Sequence, residues 1–81
     1  MHELALMTTV VERVCATAKA EGARRVTDIR LVCGEMSGVV PDALEFCFDV
    51  CAAGTLAAGA TLHIERERGR EFHLASVDVE D

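Results

Sequence analysis

Between Glu3 and Glu21 the apolar residues recur every three or four positions, and from Arg24 onward they recur every second position. This change of period constrains the fold more than any other feature. It predicts an amphipathic helix followed by a half-buried strand, each with one face that must be covered. Leu4, Met7, Val11, Val14, Cys15 and Ala18 form the helical stripe, and Glu3, Glu12, Arg13, Lys19 and Glu21 lie mostly off it. Gly22 stands where a left-handed C-terminal cap is wanted. In the strand, Ile29, Leu31 and Cys33 point one way, and Asp28, Arg30 and Val32 the other.

The pattern then repeats. Residues 34–40 form the main loop, and Pro41 suits the first turn of a second helix because its missing N–H would have had no partner there. That helix is predicted to run to Ala53, with Asp42, Glu45 and Asp49 outside and Ala43, Leu44, Cys47, Val50 and Cys51 inside; Gly54 closes it. A second alternating run turns Ala60, Leu62 and Ile64 inward and Thr61, His63 and Glu65 outward. A third spans Glu71 to Val79. A three-residue hairpin loop, Glu67-Arg68-Gly69, is expected to join them with Gly69 left-handed. That register sets Leu62 opposite Leu74 and Ile64 opposite Phe72, with a bulge near Ala75-Ser76 bringing Val77 and Val79 back into phase. It also sets His63 opposite His73 and Glu65 opposite Glu71, which reads as the solvated face of an edge hairpin with adventitious metal affinity. The order α-β-α-β-β implies a two-layer α/β sandwich, with a three-stranded mixed sheet and two helices on one face. A second copy is a candidate cover for part of the sheet's bare face, making a homodimer one expected assembly.

Eighty-one residues make one domain with one small core. Fourteen acidic against eight basic side chains leave a net charge of −6, which disfavours nucleic acid or an anionic membrane as partner. With only Phe46, Phe48 and Phe72 as aromatics, there is no base-stacking platform. No apolar run approaches a membrane span and no export signal is evident, so a cytoplasmic location is expected. Cys15, Cys33, Cys47 and Cys51 should then be thiols. They contain no C-x-x-C pair, and each falls on an inward face, so packing accounts for them without a metal.

The start of the chain is chemically distinctive. Met1-His2-Glu3 places the terminal amine, the amide of residue 2 and the His2 imidazole within reach of one ion, closing two fused chelate rings. Glu3 or an outside donor supplies a fourth position. Such a nitrogen-rich tetragonal set suits Ni(II) or Cu(II) better than Zn(II). From the residues alone, a solvated and frayed terminus is the simpler reading.

The chain resembles the HypA family of hydrogenase-maturation nickel metallochaperones along nearly its whole length. The resemblance rests on Met1-His2-Glu3-Leu4, the turn from Gly22 to Val26, and the loop Gly34-Glu35-Met36-Ser37-Gly38-Val39. It continues through Pro41 to Leu44 and Phe46, then Gly54-Thr55, Gly59-Ala60, Leu62, Ile64 and the closing run Glu71 to Glu80. It implies that His2 is the essential Ni(II) ligand, with the Met1 amine and Glu3. It also implies delivery of Ni(II) to a [NiFe]-hydrogenase large-subunit precursor together with a maturation GTPase. Family members insert a zinc domain with two C-x-x-C pairs between the last two strands. Here that domain is absent between about residues 66 and 70, so structural zinc is not expected. A metal-free adaptor that docks on hydrogenase or the GTPase is the alternative. An enzyme is not expected, since His2, His63 and His73 have no evident nucleophile or base partner and no glycine-rich phosphate loop is present.

Overall fold

The computed structural model describes residues 2–81. Helix α1 spans Glu3–Ala20, strand β1 Arg25–Gly34, helix α2 Pro41–Ala52, strand β2 Thr61–Glu67 and strand β3 Phe72–Glu80. The predicted two-layer sandwich of two helices on a three-stranded mixed sheet is what the chain forms. Gly22, at φ +71°, ends α1 as expected. Its N–H donates to the Lys19 carbonyl at 3.0 Å and the Ala23 N–H to the Ala18 carbonyl at 3.0 Å, the paired bonds of a Schellman cap.

The strand order is β2-β1-β3, with β2 parallel and β3 antiparallel to β1. This corrects the expected hairpin: β2 and β3 lie on opposite sides of β1 and do not pair. The physical reason is the connection through α2. A strand, a helix and a second strand form a crossover unit that returns the second strand parallel to the first. On the inner face the rows are Leu62–Ile29–Val77 and Ile64–Leu31–Leu74. The predicted bulge does occur at Ala75, where the β3 register slips between Arg30 and Leu31 of β1, so Leu74 and Val77 both face the helices. A second slip at Thr27 lets Val26 and Ile29 both point inward, and both are fully buried.

To reach the far side of β1, residues 68–71 must span two strand spacings, roughly 9.5 Å. They do so across the end of β1. The N–H groups of Gly34, Glu35 and Met36 donate to the carbonyls of Glu71, Glu67 and Gly69 at 2.7, 2.8 and 2.7 Å. Gly34 is required where the chains cross, because a Cβ there would lie 2.5 Å from the Gly69 carbonyl oxygen. Gly69 takes φ +108°, the positive φ expected of it, in a crossing rather than a hairpin.

The core is Met7, Val10, Val11, Val14 and Ala18 of α1 against Val26, Ile29 and Leu31, with Leu44, Phe48 and Ala52 of α2. Two sequence assignments need correction, and one residue needs placing. Leu4 and Val50, expected inside, are 56% and 57% exposed, whereas Phe48, which had no assigned place, is buried. Once Leu44, Phe48 and Ala52 set the inward direction of α2, Val50 lies on the outer side. Cys33 is buried as expected, while Cys15, Cys47 and Cys51 are half-buried at the edges of the helix layer. No described helix is long and apolar enough to cross a membrane.

Candidate metal-binding terminus

Of the residues singled out at the start of the chain, His2 and Glu3 open α1. Met1 lies outside the described residues. His2 is the N-cap, with φ −111° and ψ 26°, and its carbonyl accepts the Leu6 N–H at 2.8 Å. The helix therefore engages the carbonyl of His2 but not its amide nitrogen, since N-terminal N–H groups have no partner within a helix. The His2 side chain caps nothing and is exposed, on a groove between α1 and the edge strand β3 that His73 also lines.

Glu3 is unlike its neighbour. It is the one buried charged residue among those described, at 7% exposure. Its Oε2 accepts the backbone N–H of Val40 at 3.1 Å, tying the first turn of α1 to the entry of α2. Val40 is the N-cap of α2 and has no side chain able to cap it. The carboxylate thus also sits at the positive end of a helix, a favourable place for an anion. The Val40 N–H, foremost, holds the Glu3 carboxyl below the usual carboxylate range. A cation beside His2 would face the positive end of α1, and the Glu3 charge in that first turn offsets the repulsion.

The outer histidines are separated. His63 Nε2 lies 2.8 Å from Asp28 Oδ1 on β1, and His73 Nδ1 lies 3.1 Å from Glu71 Oε1. The expected His63–His73 and Glu65–Glu71 facing pairs do not form, because β1 stands between the two strands. The bond from His63, above all, holds Asp28 below its ordinary range. Arg30 Nη1 pairs with Asp78 Oδ2 at 2.8 Å on the same strand layer. Sequence reasoning missed the Asp28–His63 pair. The crossover through α2 was the signal, since a parallel β2 puts Thr61 beside Asp28 and His63 one pleat further along. No group of three or more His, Cys, Asp or Glu side chains among the described residues is arranged to hold a metal ion.

The fold is a small α/β domain with an exposed imidazole, His2, at the N-cap of its first helix. The family model described as hydrogenase/urease nickel incorporation, metallochaperone, HypA matches residues 1–75. The chain belongs to the HypA family. It is 54% identical over 70 residues to the hydrogenase maturation factor HypA of Geobacter sulfurreducens, covering 86% of this chain and 61% of that protein. To the protein of that name from Rhizobium leguminosarum bv. viciae it is 51% identical over 74 residues, covering 91% and 66%. The chain thus spans less than two thirds of the length of these curated relatives. Its fold is that of the solution structure of the Ni metallochaperone HypA from Helicobacter pylori. The TM-score is 0.84 at 15% identity, over 99% of this chain and 98% of that one.

Proposed function

We propose that this chain is a nickel-binding module that holds Ni(II) at Met1, His2 and Glu3 and passes it on by ligand exchange during [NiFe]-hydrogenase maturation. The observation that carries the reading is the exposed His2 at the N-cap of α1, in a chain of the HypA family whose named relatives are hydrogenase maturation factors. Nickel here is cargo: the terminal amine, the amide nitrogen and the imidazole supply three donors. The adjacent carboxylate is held in place by Val40. A site on the outermost turn, with one exposed imidazole, suits transfer because an incoming ligand can displace the donors one at a time.

The recipient is a hydrogenase large-subunit precursor and the helper a maturation GTPase, with the exchange taking place in the cytoplasm. The short connection of residues 68–71 between β2 and β3 supports a nickel module without the zinc domain, and hence without structural zinc. An adaptor that binds no metal is the competing reading; it has no use for His2. Calorimetric titration of tag-free protein with Ni(II) separates them. Stoichiometric binding that disappears in His2→Ala supports the nickel module, no binding by either protein supports the adaptor, and equal binding by both overturns the assignment to His2.

A further inference from the structure

Helix α2 presents an apolar surface to solvent that the core does not explain. Leu44, Phe48 and Ala52 face inward, which at 100° per residue aims Phe46 straight outward, with Val50 one turn on beside it. They are 71% and 57% exposed. Thr8 Oγ1 lies 3.4 Å from Cys51 Sγ, so the Val50 side of α2 borders α1. Leu4 stands one turn before Thr8 on the same side of α1 and is 56% exposed; Val40, bonded to Glu3, is 54% exposed. Phe46 and Val50 thus share the outer face of α2, and Leu4 and Val40 stand where the two helices begin, side by side through the Glu3–Val40 bond. Met36, the fifth large exposed apolar side chain, lies on the loop before Val40 and is tied through its N–H to Gly69 where residues 68–71 cross the end of β1.

The charge on the α2 side of this strip has one sign. On its far flank α2 carries Asp42, Glu45 and Asp49 and no basic residue at all. The strip also starts at the nickel terminus, since Leu4 follows Glu3 in the chain and Val40 is hydrogen-bonded to it. An exposed apolar strip with an acidic edge fits a partner face of apolar side chains rimmed by arginine or lysine. A protein seated there would bring its own ligands beside His2.

We propose that Leu4, Val40, Phe46 and Val50 form the docking surface for the protein that receives the nickel, and that this protein meets it with an apolar, basic-rimmed face. The proposal rests on the nickel-delivery reading and adds to it where the recipient sits. The probe is the purified hydrogenase large-subunit precursor from the same genome, with binding followed by interferometry and nickel affinity of each variant measured separately. Phe46→Ser/Val50→Ser should weaken precursor binding at least tenfold while leaving nickel affinity and the circular dichroism spectrum unchanged. Asp42→Asn/Glu45→Gln/Asp49→Asn should reduce the dependence of binding on salt. Wild-type affinity in the serine variant overturns the surface. Binding of the maturation GTPase but not the precursor at this strip, or a dimer of this chain that the serine changes dissociate, overturns the occupant. Loss of nickel binding in wild type would instead defeat the delivery reading alone.

Discussion

Replacing Gly34 with alanine tests how β2 and β3 are joined. The new methyl would lie 2.5 Å from the Gly69 carbonyl oxygen, 2.8 Å from its carbonyl carbon and 3.0 Å from the Glu71 nitrogen. All three are backbone atoms, so no flexible side chain can swing aside. The connection must lift, and the bonds from Gly34, Glu35 and Met36 to Glu71, Glu67 and Gly69 lengthen with it. Forcing a methyl group into closed packing costs about 1–3 kcal/mol. Lengthening the three hydrogen bonds without breaking them adds together roughly the worth of one, about 0.5–1.5 kcal/mol. Stiffening the unfolded chain returns only about 0.4–1 kcal/mol. The net is a destabilisation of about 2 kcal/mol, which for a domain of this size lowers Tm by roughly 8–16 °C. Urea and thermal unfolding followed by far-ultraviolet circular dichroism measure it. Stability within about 0.5 kcal/mol of wild type, the scatter of an ordinary surface change, would refute the crossing over Gly34.

The remaining predictions concern side chains. Native-state thiol labelling should be slowest at Cys33, which is 2% exposed, and faster at the half-buried Cys15, Cys47 and Cys51; equal rates at Cys33 and Cys51 by mass spectrometry would count against this packing. Glu3, Asp28 and Glu80 are held low by Val40, His63 and Arg25 respectively. Their contribution to stability is present above the unfolded carboxylate range, roughly pH 4, and is lost as pH falls through the lower folded values. Glu3→Gln should therefore show a shallower acid loss of the urea midpoint than wild type, and identical pH profiles would rule out the Glu3 share. His63→Ala and His73→Ala should each keep near-native nickel affinity, since His63 is engaged by Asp28 across the sheet and His73 belongs to no described cluster of three donors. A severalfold loss in His73→Ala would make it a further ligand beside His2.

Much of this fold could be read in the sequence because it is local. The period of 3.6 in α1, Gly22 at its end, Pro41 at the start of α2 and the alternation of Ile29, Leu31 and Cys33 each depend on residues close in the chain. The bulge at Ala75 was legible for the same reason, since Leu74 and Val77 cannot otherwise share a face. Strand pairing was not legible from the alternating pattern. Leu62, Ile64, Phe72 and Leu74 match equally well as a hairpin or as flanks of β1. Only the α2 crossover and the close approach permitted by Gly34 decide between them. Val50 was misplaced because apolar character was taken as inward, although on α2 it extends past the buried arc to Phe46. Of the candidate site, the position of His2 followed from its place in the chain. The bond from Glu3 to Val40 joins residues 37 positions apart and had no local signature.

The most direct test of the nickel terminus adds one residue before Met1. The terminal amine then becomes an amide and His2 moves out of chelate position, while the buried stripe of α1 is untouched. Metal affinity of the unextended protein should rise with pH through the range where imidazoles and then terminal amines, near ~8, lose their protons. The extended protein should fold as wild type by circular dichroism. It should lose most of its Ni(II) affinity, together with the absorption band of four-coordinate planar nickel. An extended protein that binds Ni(II) with the same affinity and spectrum would contradict the account, because the amine could not then be a ligand.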